Sequence, residues 1–84
     1  MAKQIIKNCG GYENIVTLNN CMTRLRLEVK DATILNDDNI KKTGAKGVIK
    51  LSNTSVQIII GTDVVKVKDE MEMQLDELRK QADA

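Results

Sequence analysis

The chain has 84 residues, 13 Lys and Arg against 12 Asp and Glu, and a net charge of +1. That size bounds it to one domain over 1–84 with a thin core, and the balanced charge gives no sequence-wide pull toward nucleic acid or anionic membrane. It has no His, Trp, Phe or Pro and a single Tyr, so the core must be aliphatic, and a His-based metal site and an internal His general base are both excluded. Two Cys do not make a disulfide framework, and a cytosolic compartment would keep them reduced. Met1–Asn8 is too short and too charged for a signal peptide, and no apolar stretch approaches the ~20 residues of a membrane span.

In chain order, Ala2–Cys9 reads as a short helix with Ile5 and Ile6 on its apolar side, and Gly10 stands where a glycine ends a helix. Ile15–Leu18 is β-branched and strand-like. Asn19–Met22 is a polar loop, and from Thr23 to Val29 the chain alternates strictly: Leu25, Leu27 and Val29 on one face, Arg24, Arg26 and Glu28 on the other. The two strands form a hairpin. After a polar connection over Lys30–Asn36, Asp37-Asp38-Asn39 starts a second short helix, with Lys41-Lys42 near its end and Gly44 as its stop. Val48–Leu51 and Val56–Ile60 form a second hairpin around Ser52–Ser55. Thr62 or Asp63 caps the last helix, whose apolar stripe runs Val64, Val67, Met71, Leu75, Leu78, opposite Lys66, Glu70, Glu77 and Lys80. Gln81–Ala84 is expected to fray. The order α-β-β-α-β-β-α gives an α+β domain, four strands with helices on one face of the sheet.

The chemistry concentrates at Cys21. Two arginines two apart on a strand share a face, roughly 7 Å apart along it, and can hold a dianion such as a phosphoryl group. In one straight strand Cys21 would lie opposite Arg24 and Arg26. It joins them only if the chain leaves strand geometry between Cys21 and Thr23, and Asn19-Asn20 makes a turn there credible. A thiolate beside fixed positive charge has a lowered pKa and is the nucleophilic form. Against this stands the plain alternative of a small buried filler, with the arginines as a solvated strand face. Thr23 is open between donating its hydroxyl to a phosphoryl oxygen and packing as a strand residue. Cys9, at a helix end with no arginine motif, reads as a packing residue. Gly44-Ala45-Lys46-Gly47 spells the GxxG of KH domains, but base-stacking aromatics are almost absent, and a turn needing positive φ explains it as well. No metal or cofactor is called for by these residues.

Asn14-Ile15, then Cys21-Met22-Thr23-Arg24-Leu25-Arg26 and the alternation running on to Asp31, resembles the glucose-family enzyme IIB domain of the bacterial sugar phosphotransferase system. Gly10-Gly11, Gly44-Ala45-Lys46-Gly47-Val48 and Val56-Gln57-Ile58-Ile59-Ile60-Gly61 extend the match over nearly the whole chain. Asn19 departs from it, since many members carry Asp there. The resemblance implies a split α/β sandwich, a four-stranded antiparallel sheet covered on one side by three helices. It also implies a phosphotransferase activity. Cys21 accepts a phosphoryl group from a phosphohistidine of enzyme IIA and passes it to a sugar bound by the membrane-embedded enzyme IIC, with Thr23, Arg24 and Arg26 around the phosphate. The expected location is cytoplasmic, at the inner face of the cell membrane beside the transporter partner. Glucose-type members also bind a transcriptional repressor, which adds one expected partner. Two other readings compete: a small protein- or nucleic-acid-binding regulatory module with an inert cysteine, and a thiol redox sensor at Cys21.

Overall fold

Strand alternation decides which face of the sheet is covered. In a computed structural model that describes residues 1–83, β2 (Arg24–Val29) buries Leu25, Leu27 and Val29 and leaves Arg26 and Glu28 exposed and Arg24 half-buried. It sits inside a four-stranded sheet of order β1-β2-β4-β3, with β1 Ile15–Asn20, β3 Gly47–Lys50 and β4 Ser55–Ile59, and all three pairings are antiparallel. The inward residues of β2 and β4 meet the apolar sides of α1 (Ala2–Asn8), α2 (Asp37–Lys42) and α3 (Val64–Asp83) in one aliphatic cluster. Ile5, Leu25, Ile40, Ile58 and Met71 are among its fully buried side chains. This is the expected α+β fold, and no described helix covers its outward sheet face.

Local hydrogen bonds mark three of the helix ends. Helix α1 closes on a glycine motif: Gly10 N–H donates to the Lys7 carbonyl (3.3 Å) and Gly11 N–H to the Ile6 carbonyl (3.0 Å), with Gly10 at φ +89°. The Asn36 side chain caps α2 by accepting from Asn39 N–H at 3.1 Å. Helix α3 begins just past Asp63, whose carbonyl takes the first-turn N–H of Val67 at 3.1 Å. It stays helical through Gln81–Asp83, where fraying was expected; Ala84 lies outside the described residues.

The expected boundaries shift by a residue or two: α1 ends at Asn8 rather than Cys9, β3 is Gly47–Lys50 rather than Val48–Leu51, and β4 is Ser55–Ile59 rather than Val56–Ile60. Strand β1 runs two residues further, to Asn20, because pairing of Asn19 with Arg26 and Asn20 with Leu25 continues the ladder. Strand β2 starts at Arg24, one residue later than expected. A bulge at Val16 lies between the pairs Ile15–Val29 and Thr17–Glu28. One extra residue there lets Ile15 and Leu18, three apart, both turn inward. The polar connection after β2 holds a 3-10 turn, Ala32–Ile34, capped by the Asp31 side chain, which accepts from Thr33 N–H at 2.9 Å.

One buried polar side chain ties these pieces together. Asn14, in a 3-10 turn over Tyr12–Asn14, donates Nδ2–H to the carbonyls of Cys9 (2.8 Å) and Asp31 (3.0 Å), and its Oδ1 accepts from Asp31 N–H (3.0 Å). The end of α1 and the exit of β2 are thereby fixed to the root of the first hairpin. No described helix is long and apolar enough to cross a membrane.

Candidate functional site: the Cys21 loop and the open sheet face

The first hairpin turns on Met22 and Thr23. Cys21 N–H donates to the Arg24 carbonyl at 2.9 Å, so Cys21 closes the hairpin directly across from Arg24 rather than lying in one strand with it. That satisfies the parity condition read from the sequence. The tip is tied down from the other side as well. The Thr23 carbonyl accepts from Ile60 N–H (2.9 Å) and Gly61 N–H (2.8 Å), at the end of β4 and just before α3. Met22, at the apex, is 89% exposed.

These constraints set the electrostatics of the thiol. Cys21 is half-buried, and its Sγ lies 3.6 Å from the Arg24 carbonyl. The backbone N–H of Thr23 contributes most to holding the thiol below its ordinary value, against a partial loss of hydration. The backbone of Arg24 and the charge and N–H groups of Arg26 act in the same direction. Cys9 is the opposite case. It is 0% exposed, and burial, aided by the Asp37 carboxylate, pushes it up to about 12. The fold thus separates the two cysteines as the sequence suggested, one with its thiolate favoured and one kept neutral.

The arginines do not behave alike. Arg26 pairs across the ladder with Asn19 on one side and Gln57 on the other, and its guanidinium serves the Cys21 sulfur. Arg24 presents its backbone to Cys21, while its guanidinium crosses toward β4 and donates Nη1–H to Gln57 Oε1 at 3.1 Å. Thr23 contributes backbone groups on both sides of the loop; its side chain is exposed. Beside these residues the open face dips into a depression of about 490 Å³, with Asn19, Arg26, Glu28, Ser55 and Gln57 among its lining residues. Gln57 is the site-facing residue given no role from the sequence. Its signal was there: in Val56-Gln57-Ile58 it is the polar residue between two buried ones, on the arginine face.

Elsewhere the glycines behave as turn residues. Gly44 takes φ +111° after α2, whereas Gly47 begins β3, so the Gly44–Gly47 segment is a helix exit leading into a strand. No group of three or more metal-ligating side chains is found among the described residues. Chemically, the site offers a sulfur at a hairpin tip whose thiolate is favoured by the Thr23 and Arg24 backbone and by Arg26, and two cations on an open polar face. Such a set suits an electrophile that carries several oxyanion oxygens.

The chain resembles known proteins in sequence and in fold. The family described as phosphotransferase system, EIIB matches residues 3–36. The N-acetylglucosamine-specific EIIB component of Streptomyces coelicolor is 41% identical over 71 residues, 84% of this chain and 91% of that protein. The maltose-specific EIICB component of Escherichia coli K12 is 48% identical over 67 residues, 80% of this chain but only 13% of that longer protein. A crystal structure of one domain of a phosphotransferase-system IIabc component from Clostridium difficile superposes with a TM-score of 0.74 at 38% identity, covering 87% of this chain and 76% of that one.

Proposed function

The chain belongs to the EIIB family of the sugar phosphotransferase system, and on that premise we propose that Cys21 is its phosphoryl acceptor. The observation that carries the reading is a thiol at a hairpin tip tied to β4, its Sγ 3.6 Å from the Arg24 carbonyl and with Arg24 and Arg26 on the same open face. The Thr23 backbone, with Arg24 and Arg26, holds that thiol below its ordinary value. In the first step the Cys21 thiolate attacks phosphorus and an S–P bond forms. The N–P bond of a phosphohistidine on an EIIA protein breaks, and its electron pair returns to the imidazole. In the second step a sugar hydroxyl attacks phosphorus, the S–P bond breaks, and sulfur leaves as thiolate.

A thiolate leaving group is well served by the same N–H donors that favour it before attack, so one arrangement supports both steps. Phosphoryl transfer asks a protein mainly for positioning and charge stabilisation, and the Thr23 and Arg24 backbone, Arg26 and Arg24 supply both. The chain has no His, and the reading places the base that takes the sugar hydroxyl's proton on the sugar-binding partner, an EIIC protein. That EIIC partner is suggested by EIICB relatives, in which an EIIB-like segment is a small part of a longer chain.

Sugar phosphorylation by membranes carrying a cognate EIIC, with phosphorylated EIIA as donor, tests the assignment. Cys21→Ser should abolish it, while Cys9→Ser, a change remote from the loop, should retain the reaction. Turnover that survives Cys21→Ser would overturn the assignment.

A further inference from the structure

The side chain of Arg24 points away from the sulfur that its own backbone contacts. Its Cα is rooted beside Cys21, because the two residues close the hairpin with a 2.9 Å bond from Cys21 N–H to the Arg24 carbonyl. A closing pair of this kind keeps the two Cα atoms within roughly 5.5 Å. Yet the guanidinium reaches across the sheet in the other direction, to Gln57 on β4. The ladder does not require that contact. Gln57 is directly opposite Arg26, and Arg24 is directly opposite Ile59. The bond is therefore a diagonal one, made by two long side chains over the distance that diagonal neighbours leave open.

We propose that Gln57 is a positioning residue that parks the Arg24 guanidinium on the β4 side of the open face, from which an anion arriving at Cys21 draws it off. The two arginines then divide the work. Arg26 attends the bare thiolate and Arg24 is held in reserve for the added charge of a phosphoryl group. This rests on the reading that Cys21 carries that group. The chemistry favours such an exchange. Gln57 offers Arg24 one neutral amide acceptor, whereas a phosphoryl dianion offers paired charged oxygens that suit the guanidinium fork. The Gln57 bond is strong enough to orient a half-exposed side chain and weak enough to be displaced. It also keeps a second full positive charge from settling on the thiolate and screening it from its electrophile. Consistent with the parking, the influence on the Cys21 thiol comes from the Arg24 backbone and from the Arg26 side chain.

The test needs no phosphoryl donor, so its outcome is separable from that of the carrier assignment. Alkylation rates of Cys21 by iodoacetate, an anion, and iodoacetamide, a neutral analogue, are compared, and their ratio reports positive charge near the sulfur. Gln57→Leu keeps the bulk on β4 but removes the acceptor. The ratio should rise about threefold, as expected for a unit charge moving several Å closer at a surface dielectric, and the pH midpoint of iodoacetamide labelling should fall. In an Arg24→Ala background Gln57→Leu should change neither quantity. A ratio unmoved by Gln57→Leu, or one that moves equally without Arg24, would overturn the proposal and leave the contact as an ordinary cross-strand pair.

Discussion

Arg24 and Arg26 share a strand face and a charge, but the Arg24 guanidinium is held by Gln57, whereas the Arg26 side chain acts on the Cys21 thiol. That difference makes the Arg→Lys substitutions informative, because Lys keeps the charge and loses the planar fork. Both side chains stand on the uncovered face opposite Leu25 and Leu27, so neither change should disturb the fold. Arg24→Lys and Arg26→Lys should each still let Cys21 accept a phosphoryl group, since a positive charge remains. Transfer onward to sugar should slow on the order of ten- to a hundredfold, because there the phosphoryl oxygens must be aimed at a hydroxyl held by another protein. The assay has two stages: phosphocysteine formed from EIIA, then sugar phosphate formed with EIIC membranes. Wild-type rates in both stages would mean that the arginines are a solvated strand face and nothing more.

At the scale of elements, the first hairpin and the helix before it carry the site, and their joints are where sequence reading was least complete. Alternation in Thr23–Val29 is enough to assign the buried and open faces of β2, and parity requires the chain to leave strand geometry between Cys21 and Thr23, although the turn falls on Met22 and Thr23 rather than on the expected Asn19–Met22 loop. The bulge at Val16 was not legible, because Val16 and Thr17 are both good strand residues and no Gly marks the extra step. The run of β1 through Asn19 and Asn20 was hidden by the turn preference of Asn, which the cross-strand ladder overrides. The bond between Arg24 and Gln57 depends on the register of two strands 33 residues apart in the chain, and no local pattern specifies it. The glycine exit of α1, by contrast, was plain. At Gly10 φ is +89°, and an added Cβ would collide with the Ile34 side chain. Gly10→Ala should therefore lower unfolding free energy by roughly 1–2 kcal/mol, chiefly from the left-handed backbone, with a smaller part from the contact, since the exposed Ile34 tip can shift. Adding Ile34→Ala should recover the steric part alone. Denaturant titration of both variants measures this, and a Gly10→Ala protein as stable as the parent would contradict the motif.

Over the whole molecule, stability should vary with pH in opposite ways through the two thiols. Cys9 has its folded value raised, from 9.0 to about 12. Below pH 9 its proton is held in both folded and unfolded chains. Between about 9 and about 12 the unfolded chain has released it and the folded chain has not, so stability falls as pH rises, by up to about 1.4 kcal/mol per pH unit. Cys21 has its folded value lowered. Its contribution is present above the ordinary thiol value and is lost as pH falls through the folded one. Other groups titrate in the alkaline range, so the useful quantity is the difference in slope between the parent and Cys9→Ala. The variant's curve should be flatter above pH 9, whatever constant offset the smaller side chain introduces; parallel curves would show that Cys9 is not shielded from water.

All of these effects centre on a single claim, that this small sheet exists to hold Cys21 as a phosphoryl acceptor. The most direct measurement is the mass of the intact chain after incubation with phosphoenolpyruvate, the general phosphotransferase proteins and EIIA, followed by fragmentation that separates Cys9 from Cys21. One added phosphoryl group is expected, on Cys21. A chain that gains none under conditions that phosphorylate the EIIA donor, or that carries the group on any other residue, would contradict it.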